Sequence, residues 1–174
     1  MTEPPPAAER HDAHTEGLRE RCISVTVAGV LYGLPLEDVQ EVIGMRALTR
    51  VFHAPAAVAG VTSLRGEVLP VLDLAVLLGH PPGGAGATAD ARIVVVREKA
   101  GKKRRAGLRV DALGPLREVP DDGLAPPPST LSSAAAELVV GVIPDAPPCS
   151  VLSLKSVLDS HLLTSVAAPA DAET

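Results

Sequence analysis

The sequence carries one pattern twice, and this internal repeat restricts the fold more than any other feature. Gly33 recurs as Gly107 in the same apolar context, an offset of 74 residues (107 minus 33), and Gly60 recurs as Gly141, an offset of 81 (141 minus 60). Each half then ends with an apolar strand that runs into a short helical segment. The repeat predicts two similar small barrels, and chance similarity among Val- and Leu-rich strands is the competing explanation.

Local patterns predict strands joined by tight turns. Residues 22–27 alternate in the manner of a strand, and residues 30–34 return after Ala-Gly as the second strand of a hairpin. The apolar residues of 36–43 fall at helical spacing, which predicts a short amphipathic helix. Residues 47–52 and 93–97 are predicted to be further strands.

The stretch GVTSLRGEVLPVLDL places three charges in a segment otherwise built to be buried. Arg65 and Gly66 predict a turn between two strands, and Pro70 predicts a bulge or an edge because it has no N–H to donate. Asp73 is predicted to cap the following helix. For Arg65 two interpretations stay open: an exposed residue loosely paired with Glu67 or Asp73, or a fork onto carbonyls or a carboxylate that fixes the hairpin or anchors a partner.

Composition predicts three segments outside the packed domain. Residues 1–20 contain three consecutive prolines and mixed charges, which predicts a disordered tail. Residues 81–87 are predicted to be a flexible linker, and residues 166–174 a flexible C-terminal tail. Residues 1–21 contain no apolar run like a secretory core, and the other apolar runs are broken well before the roughly 20 residues that span a bilayer. We therefore expect a cytoplasmic protein without membrane insertion.

No group of residues in the sequence predicts catalysis, and we expect no catalytic residue, cofactor or metal. The five histidines are scattered, and none adjoins a cysteine or carboxylate at ligand spacing. The glycine-rich linker lacks the Lys-Ser/Thr of a phosphate loop. Cys22 and Cys149 lie far apart in apolar contexts, so they are expected to be small core residues, with a disulfide as the alternative.

One basic cluster, KAGKKRR at 99–105, is predicted to form a hairpin tip, and it offers an alternative function as a module that binds nucleic acid or another protein. Binding of single-stranded nucleic acid usually combines a basic groove with aromatic stacking platforms. Aromatic residues make up only 1% of this chain, and its net charge is −5. A solvated hairpin tip, with no nucleic-acid partner, is therefore the favoured interpretation.

Several short motifs together resemble the CheW-like domain family, from about Cys22 to Leu163 and most densely before Leu78. They are Tyr32-Gly33-Leu34, Val39-Gln40-Glu41-Val42, Thr49-Arg50, Gly60-Val61, Leu64-Arg65-Gly66, Pro70 and Asp73-Leu74. The resemblance implies a mainly β fold of two interlocked five-stranded SH3-like barrels with short helices after the strand hairpins. The domain would span 21–165, with a first barrel at about 21–80 plus a crossing C-terminal element and a second barrel at about 90–155.

The resemblance also implies a function without catalysis. CheW-like proteins are adaptors that join the histidine kinase CheA to chemoreceptors in cytoplasmic arrays. The implied partners are the regulatory domain of a CheA-type kinase, the cytoplasmic tip of a methyl-accepting chemoreceptor, and other CheW-like domains. By position, three sets of residues are implied: kinase contacts at Val39, Glu41 and Gly60; motif or structural residues at Arg65, Gly66, Pro70 and Asp73; and receptor-groove residues at Ile93, Val94, Gly107 and Leu113.

Overall fold

The computed structural model describes residues 20–81, 88–99 and 101–160, and within them ten strands form two five-stranded sheets. The strands are β1 (Arg21–Val27), β2 (Val30–Pro35), β3 (Val39–Gly44), β4 (Val58–Leu64), β5 (Glu67–Asp73), β6 (Arg92–Arg97), β7 (Arg105–Val110), β8 (Ala112–Glu118), β9 (Val139–Ile143) and β10 (Cys149–Leu152). Three short helices are α1 (Leu74–Leu77), α2 (Ser133–Leu138) and α3 (Leu154–Asp159). The predicted tails and linker fall almost wholly outside the described residues.

The two sheets each take strands from both halves of the chain. One sheet has the order β8-β1-β2-β10-β9, and the other has the order β3-β6-β7-β5-β4. The barrel bounds of about 21–80 plus a crossing C-terminal element and about 90–155 stay a prediction, and in the sheets β1 and β2 pair with β8 and β10 from the second half of the chain. Parallel pairing of β2 with β10 and of β5 with β7 makes this exchange and interlocks the two SH3-like barrels.

The register of these parallel pairs confirms the predicted repeat. Gly33 of β2 lies opposite Val151 of β10, and Gly107 of β7 lies opposite Val71 of β5. Both pairs occupy the middle of their sheets, so the two glycines hold equivalent positions in the two barrels. The glycines recurred in the sequence because both barrels need the same close approach.

The largest apolar cluster lies between the two sheets and holds the barrels together. It contains Val25 and Leu34 from one sheet, Val94 and Leu108 from the other, and Leu74 from α1. Each barrel has its own smaller interior cluster as well. None of the helices in the described part of the chain has the length or apolarity that crossing a bilayer requires.

Cys22 and Cys149 pack inside the barrel that contains β1, in the same interior cluster. Both thiols are free and buried, as predicted for small core residues. Burial raises the pKa of the Cys22 thiol to about 11, and the nearby Cys149 adds to the shift. A thiol in this state is a poor nucleophile at neutral pH.

The predicted helix at 36–43 is wrong. The chain makes a single 3-10 turn at Leu36–Asp38 and then continues as β3, which pairs with β6. A shift of register between Val39 and Glu41 interrupts the alternation of faces in β3, so its apolar residues fall at a spacing that resembles a helix. The strand predicted at 47–52 is likewise reduced to one bridge between Thr49 and Val61.

Gly107→Ala is expected to lower the free energy of unfolding by about 1–3 kcal/mol, because it overpacks a barrel interior. An added Cβ would lie 2.6 Å from Cγ2 of the buried, β-branched Ile93. At the equivalent Gly33, the nearest atom to an added Cβ is Sγ of Cys149 at 3.2 Å, so Gly33→Ala should cost less. Urea unfolding of both variants measures the difference, and an equal or larger cost at Gly33 would contradict it.

Candidate functional site

The hairpin between β4 and β5 turns at Arg65 and Gly66, as predicted. Both residues have positive φ, 50° and 81°, as the two central residues of a type I′ turn require. Glycine adopts this conformation freely, whereas arginine does so at a cost. The side chain of Arg65 therefore needs an interaction that offsets the strain of its backbone.

Arg65 forks onto the carboxylate of Glu41, on the outer strand β3. Nη1 donates to Oε1 and Nη2 donates to Oε2 at 2.8 Å. Hydrogen bonding from Arg65 holds the pKa of the Glu41 carboxyl below its usual range, and the charges of Arg65, Arg105 and Arg46 act in the same direction. The fork onto a carboxylate was one of the two interpretations of Arg65, but its partner is neither Glu67 nor Asp73.

The fork is one of three contacts that close this sheet into a barrel. Its outer strands are β3 and β4, and beside the Glu41–Arg65 fork Nη1 of Arg46 donates to the carbonyl of Ser63 at 3.2 Å. Thr49 and Val61 exchange backbone hydrogen bonds of 2.8 and 2.9 Å. We call these three contacts, Glu41–Arg65, Arg46–Ser63 and Thr49–Val61, the seam.

Gly60 lies directly beside the seam, in β4, with φ of 150°. A Cβ at this position would lie 2.7 Å from the carbonyl oxygen of Thr49. Val39 and Glu41 are on β3, the other outer strand, and Val39 is half-buried against the main cluster. The structure thus brings the three predicted kinase-contact residues to the two strands that meet at the seam.

The other two charges of the stretch GVTSLRGEVLPVLDL, Glu67 and Asp73, lie at opposite ends of β5. Glu67, Leu69, Val71 and Asp73 alternate along β5 and so share a face. Nη1 of Arg105 donates to Glu67 at 2.5 Å, and Nη2 of Arg109 donates to Asp73 at 2.5 Å. Two ion pairs between β5 and β7 therefore flank the apolar residues Leu69 and Val71. They are Glu67–Arg105 and Asp73–Arg109.

Asp73 makes the helix cap that its position predicted. Oδ1 accepts hydrogen bonds from the backbone N–H groups of Ala75 at 3.0 Å and Val76 at 3.4 Å, and the Asp73 side chain is only 3% exposed. Pro70 was predicted to mark a bulge or an edge. It lies inside the sheet instead, one residue before pairing with β7 begins at Val71, so that ladder starts just past the missing N–H.

The predicted receptor-groove residues do not form one accessible surface. Ile93 and Gly107 are buried in a barrel interior, and Val94 is buried in the cluster between the barrels. A side chain without accessible surface cannot contact a partner directly, so these three are core positions. Leu113 is 38% exposed, but it lies on β8, an outer strand of the other sheet.

Sequence reasoning missed the two β7 arginines and the exposure of Phe52. Arg105 and Arg109 are four residues apart on β7, and Glu67 and Asp73 are six apart on β5, so each pair lies on one face of its strand, and this even spacing was the available signal. Phe52 was placed in a strand, yet it is 90% exposed on the segment before β4. His53 beside it has a positive φ of 59°.

The basic cluster at 99–105 is a hairpin tip between β6 and β7, but most of its charge is already paired. Nζ of Lys99 lies 3.5 Å from Glu37, and Arg105 pairs with Glu67. Arg104 forks onto Glu98 at 3.0 and 3.1 Å, and these hydrogen bonds raise its pKa. Three of its five cations thus face carboxylates of this chain, which weakens the alternative of a phosphate-binding tip.

Glu41→Gln is expected to flatten the acid dependence of stability. The carboxyl ordinarily titrates near 4.5, and its folded pKa is lower. It therefore stabilises the fold above that ordinary value, and this contribution disappears as the pH falls through the folded pKa. Thermal midpoints should differ between wild type and variant at neutral pH and converge in acid; a constant gap would contradict the role of the charge.

Among the described residues, His, Cys, Asp and Glu side chains nowhere gather in threes at distances that would hold a metal ion. The arrangement is instead a set of closed barrel ends and outer strands.

Comparison with known proteins gives consistent matches. A model of the CheW-like domain matches residues 21–161. The probable chemotaxis protein CheW of Rhizobium etli is 35% identical over 61% of this chain and 65% of its own length. Protein FrzA of Myxococcus xanthus is 35% identical over 67% of this chain and 69% of its own length. The solved structure of scaffolding protein TtCheW from Thermoanaerobacter tengcongensis is 26% identical with a TM-score of 0.70, covering 83% of this chain and 95% of that one.

Proposed function

This chain belongs to the CheW-like domain family, and we propose that it is a non-catalytic adaptor that couples chemoreceptors to a CheA-type histidine kinase in a chemotaxis-like array. Family membership supports the class of function, a scaffold in chemotaxis. The seam supports a docking role, because it joins two outer strands beside the exposed side chain of Arg65.

The kinase regulatory domain would dock at the seam. Val39, Glu41 and Gly60 lie on the two strands joined there, and the fork from Arg65 holds their relative positions. A surface that is fixed before binding loses less conformational entropy in the complex. The observation that carries the proposal is that contacts within this chain already join the two strands on which the three predicted kinase-contact residues lie.

The receptor tip and other CheW-like domains are the remaining proposed partners. Of the four groove residues, Leu113 alone keeps substantial exposure, so direct receptor contact is assigned to it and its surroundings on β8. The protein would work in the cytoplasm, recruited to membrane-associated receptor arrays. Partners that bind different barrels could bind at the same time.

Binding to purified partners tests the proposal. The full chain would be titrated with the regulatory domain of the cognate CheA-type kinase and with the receptor tip. Arg65→Ala is expected to weaken kinase binding at least tenfold, because the seam loses its fork. Arg117→Ala is the matched control, since Arg117 reaches Asp145 at 3.5 Å in the other barrel. No binding by wild type, or equal losses in both variants, would refute the proposal.

A further inference from the structure

A cavity of about 690 Å³ opens at the end of the barrel that Asp73 and Arg109 close. Its wall includes the segment before β4, which carries Arg50, Phe52 and His53, and the strand residue Val58. The cavity therefore combines an apolar wall with two guanidinium groups and an imidazole. Asp73 is its single carboxylate.

Arg109 has unused hydrogen-bonding capacity in this wall. Among the residues that the structure describes, its acceptor is Oδ2 of Asp73, although a guanidinium offers five N–H donors. Nε of Arg109 is buried without a partner. Oδ1 of Asp73 is already engaged with the start of α1. An acceptor entering the cavity would satisfy donors that are now costly to leave unpaired.

Phe52 supplies the apolar counterpart. It is the chain's one phenylalanine and is 90% exposed at the cavity rim. The adjacent His53 holds a left-handed backbone conformation with φ of 59°, and such strained residues cluster at functional sites and ligand clamps. Aromatic residues, phenylalanine included, are enriched at protein interfaces relative to the rest of the surface.

The equivalent end of the other barrel has different chemistry. By the register of the repeat, Pro35 occupies the position of Arg109, and Ser153 occupies that of Asp73. The cavity there is mainly apolar, and its charged lining residues are one arginine, Arg21, and two acids, Glu20 and Glu37, so that its acids outnumber its one cation. The cationic wall is therefore a property of one barrel end and does not follow from the fold itself.

We propose that the cavity beside Phe52 binds a carboxylate carried next to an apolar side chain of a partner protein, with Arg109 and Arg50 holding the carboxylate and Phe52 covering the apolar group. The charge of the cavity argues for this occupant, since its cations outnumber its one engaged carboxylate. The choice of the kinase regulatory domain as the partner rests on the proposed function. The binding of a carboxylate in the cavity does not.

A small carboxylate tests the cavity without any partner. The full chain, labelled with ¹⁵N, would be titrated with 3-phenylpropionate while the Nε–H signal of Arg109 is followed. A saturable shift with a dissociation constant of order millimolar is expected for so small a ligand. The uncharged 3-phenylpropanol should shift the signal far less. Equal shifts with the alcohol, or no saturable shift, would overturn the proposal.

The variant Asp73→Ser/Arg109→Leu is the control that keeps the fold. It places at this end the serine cap that Ser153 provides to α3 and removes the buried charges together. Backbone amides lining the cavity should then no longer respond to 3-phenylpropionate, and kinase-domain binding should weaken at least tenfold. If wild type binds the kinase domain and the variant binds it equally well, this cavity is not where the partner docks, while the proposed function stands.

Discussion

Asp73→Ala is expected to lower the free energy of unfolding by about 3–5 kcal/mol, the cost of leaving a buried charge without its partner. The substitution removes the acceptor of Arg109, whose side chain is only 20% exposed. It also removes the cap that accepts from Ala75 and Val76, worth about 1 kcal/mol. The main apolar cluster should loosen with it, because Leu74 of α1 is fully buried there.

Ser153→Ala measures the cap alone and is the matched control. Ser153 occupies the equivalent position before α3, and its hydroxyl accepts from the N–H of Ser156 at 3.2 Å. Loss of this cap should cost about 1 kcal/mol. Urea unfolding of both variants separates the two effects. Equal costs would mean that the Asp73–Arg109 pair adds nothing beyond the cap.

Gly60→Asp is expected to abolish kinase-domain binding and to cost about 2–6 kcal/mol, since backbone strain and overpacking each contribute about 1–3 kcal/mol. At φ of 150° a side chain is strained whatever space surrounds it. Space is also lacking, because the added Cβ would meet the Thr49 carbonyl oxygen at 2.7 Å and Cβ of Leu48 at 3.0 Å. The Thr49–Val61 contact of the seam would have to open.

Gly66→Ala controls for backbone strain without crowding. Gly66 also has positive φ, but no atom lies within 4 Å of the Cβ that alanine would add. We expect a cost of about 1 kcal/mol, the lower end of the range for such strain, and unchanged affinity for the kinase domain. Unfolding curves and binding isotherms of the two variants provide the test. Retained binding by a folded Gly60→Asp protein would remove Gly60 from the docking surface.

Features that depend on neighbours in sequence were predictable. The turn at Arg65 and Gly66 follows from the conformational freedom of glycine between two apolar runs, and the Asp73 cap needs only the N–H groups two and three residues ahead. The repeat was readable because Gly33 and Gly107 meet the same steric demand in each barrel. Such features could be predicted because the backbone preferences of a residue and its near neighbours do not depend on the rest of the fold.

Features that depend on strand order were not predictable. The helix expected at 36–43 became a turn and β3, because pairing with β6 outweighed a weak periodicity that a bulge had imitated. The long-range strand partners were not predicted individually for the same reason, since parallel pairing places β2 beside the C-terminal β10. The free energy of strand pairing depends on which strands become neighbours in the sheet, and the positions of the strands along the sequence do not reveal this.

By itself, then, the sequence determined most of the strands, the tight turns, the Asp73 cap and the twofold plan, because each depends on residues within a few positions or on one repeated steric requirement. Tertiary structure alone decided the partners of the charges. Arg65 reaches Glu41 across 24 residues, and Arg109 reaches Asp73 across 36. Such partners are chosen when a barrel closes, because only closure brings together side chains so far apart in sequence, and at Asp73–Arg109 it does so where little water reaches them.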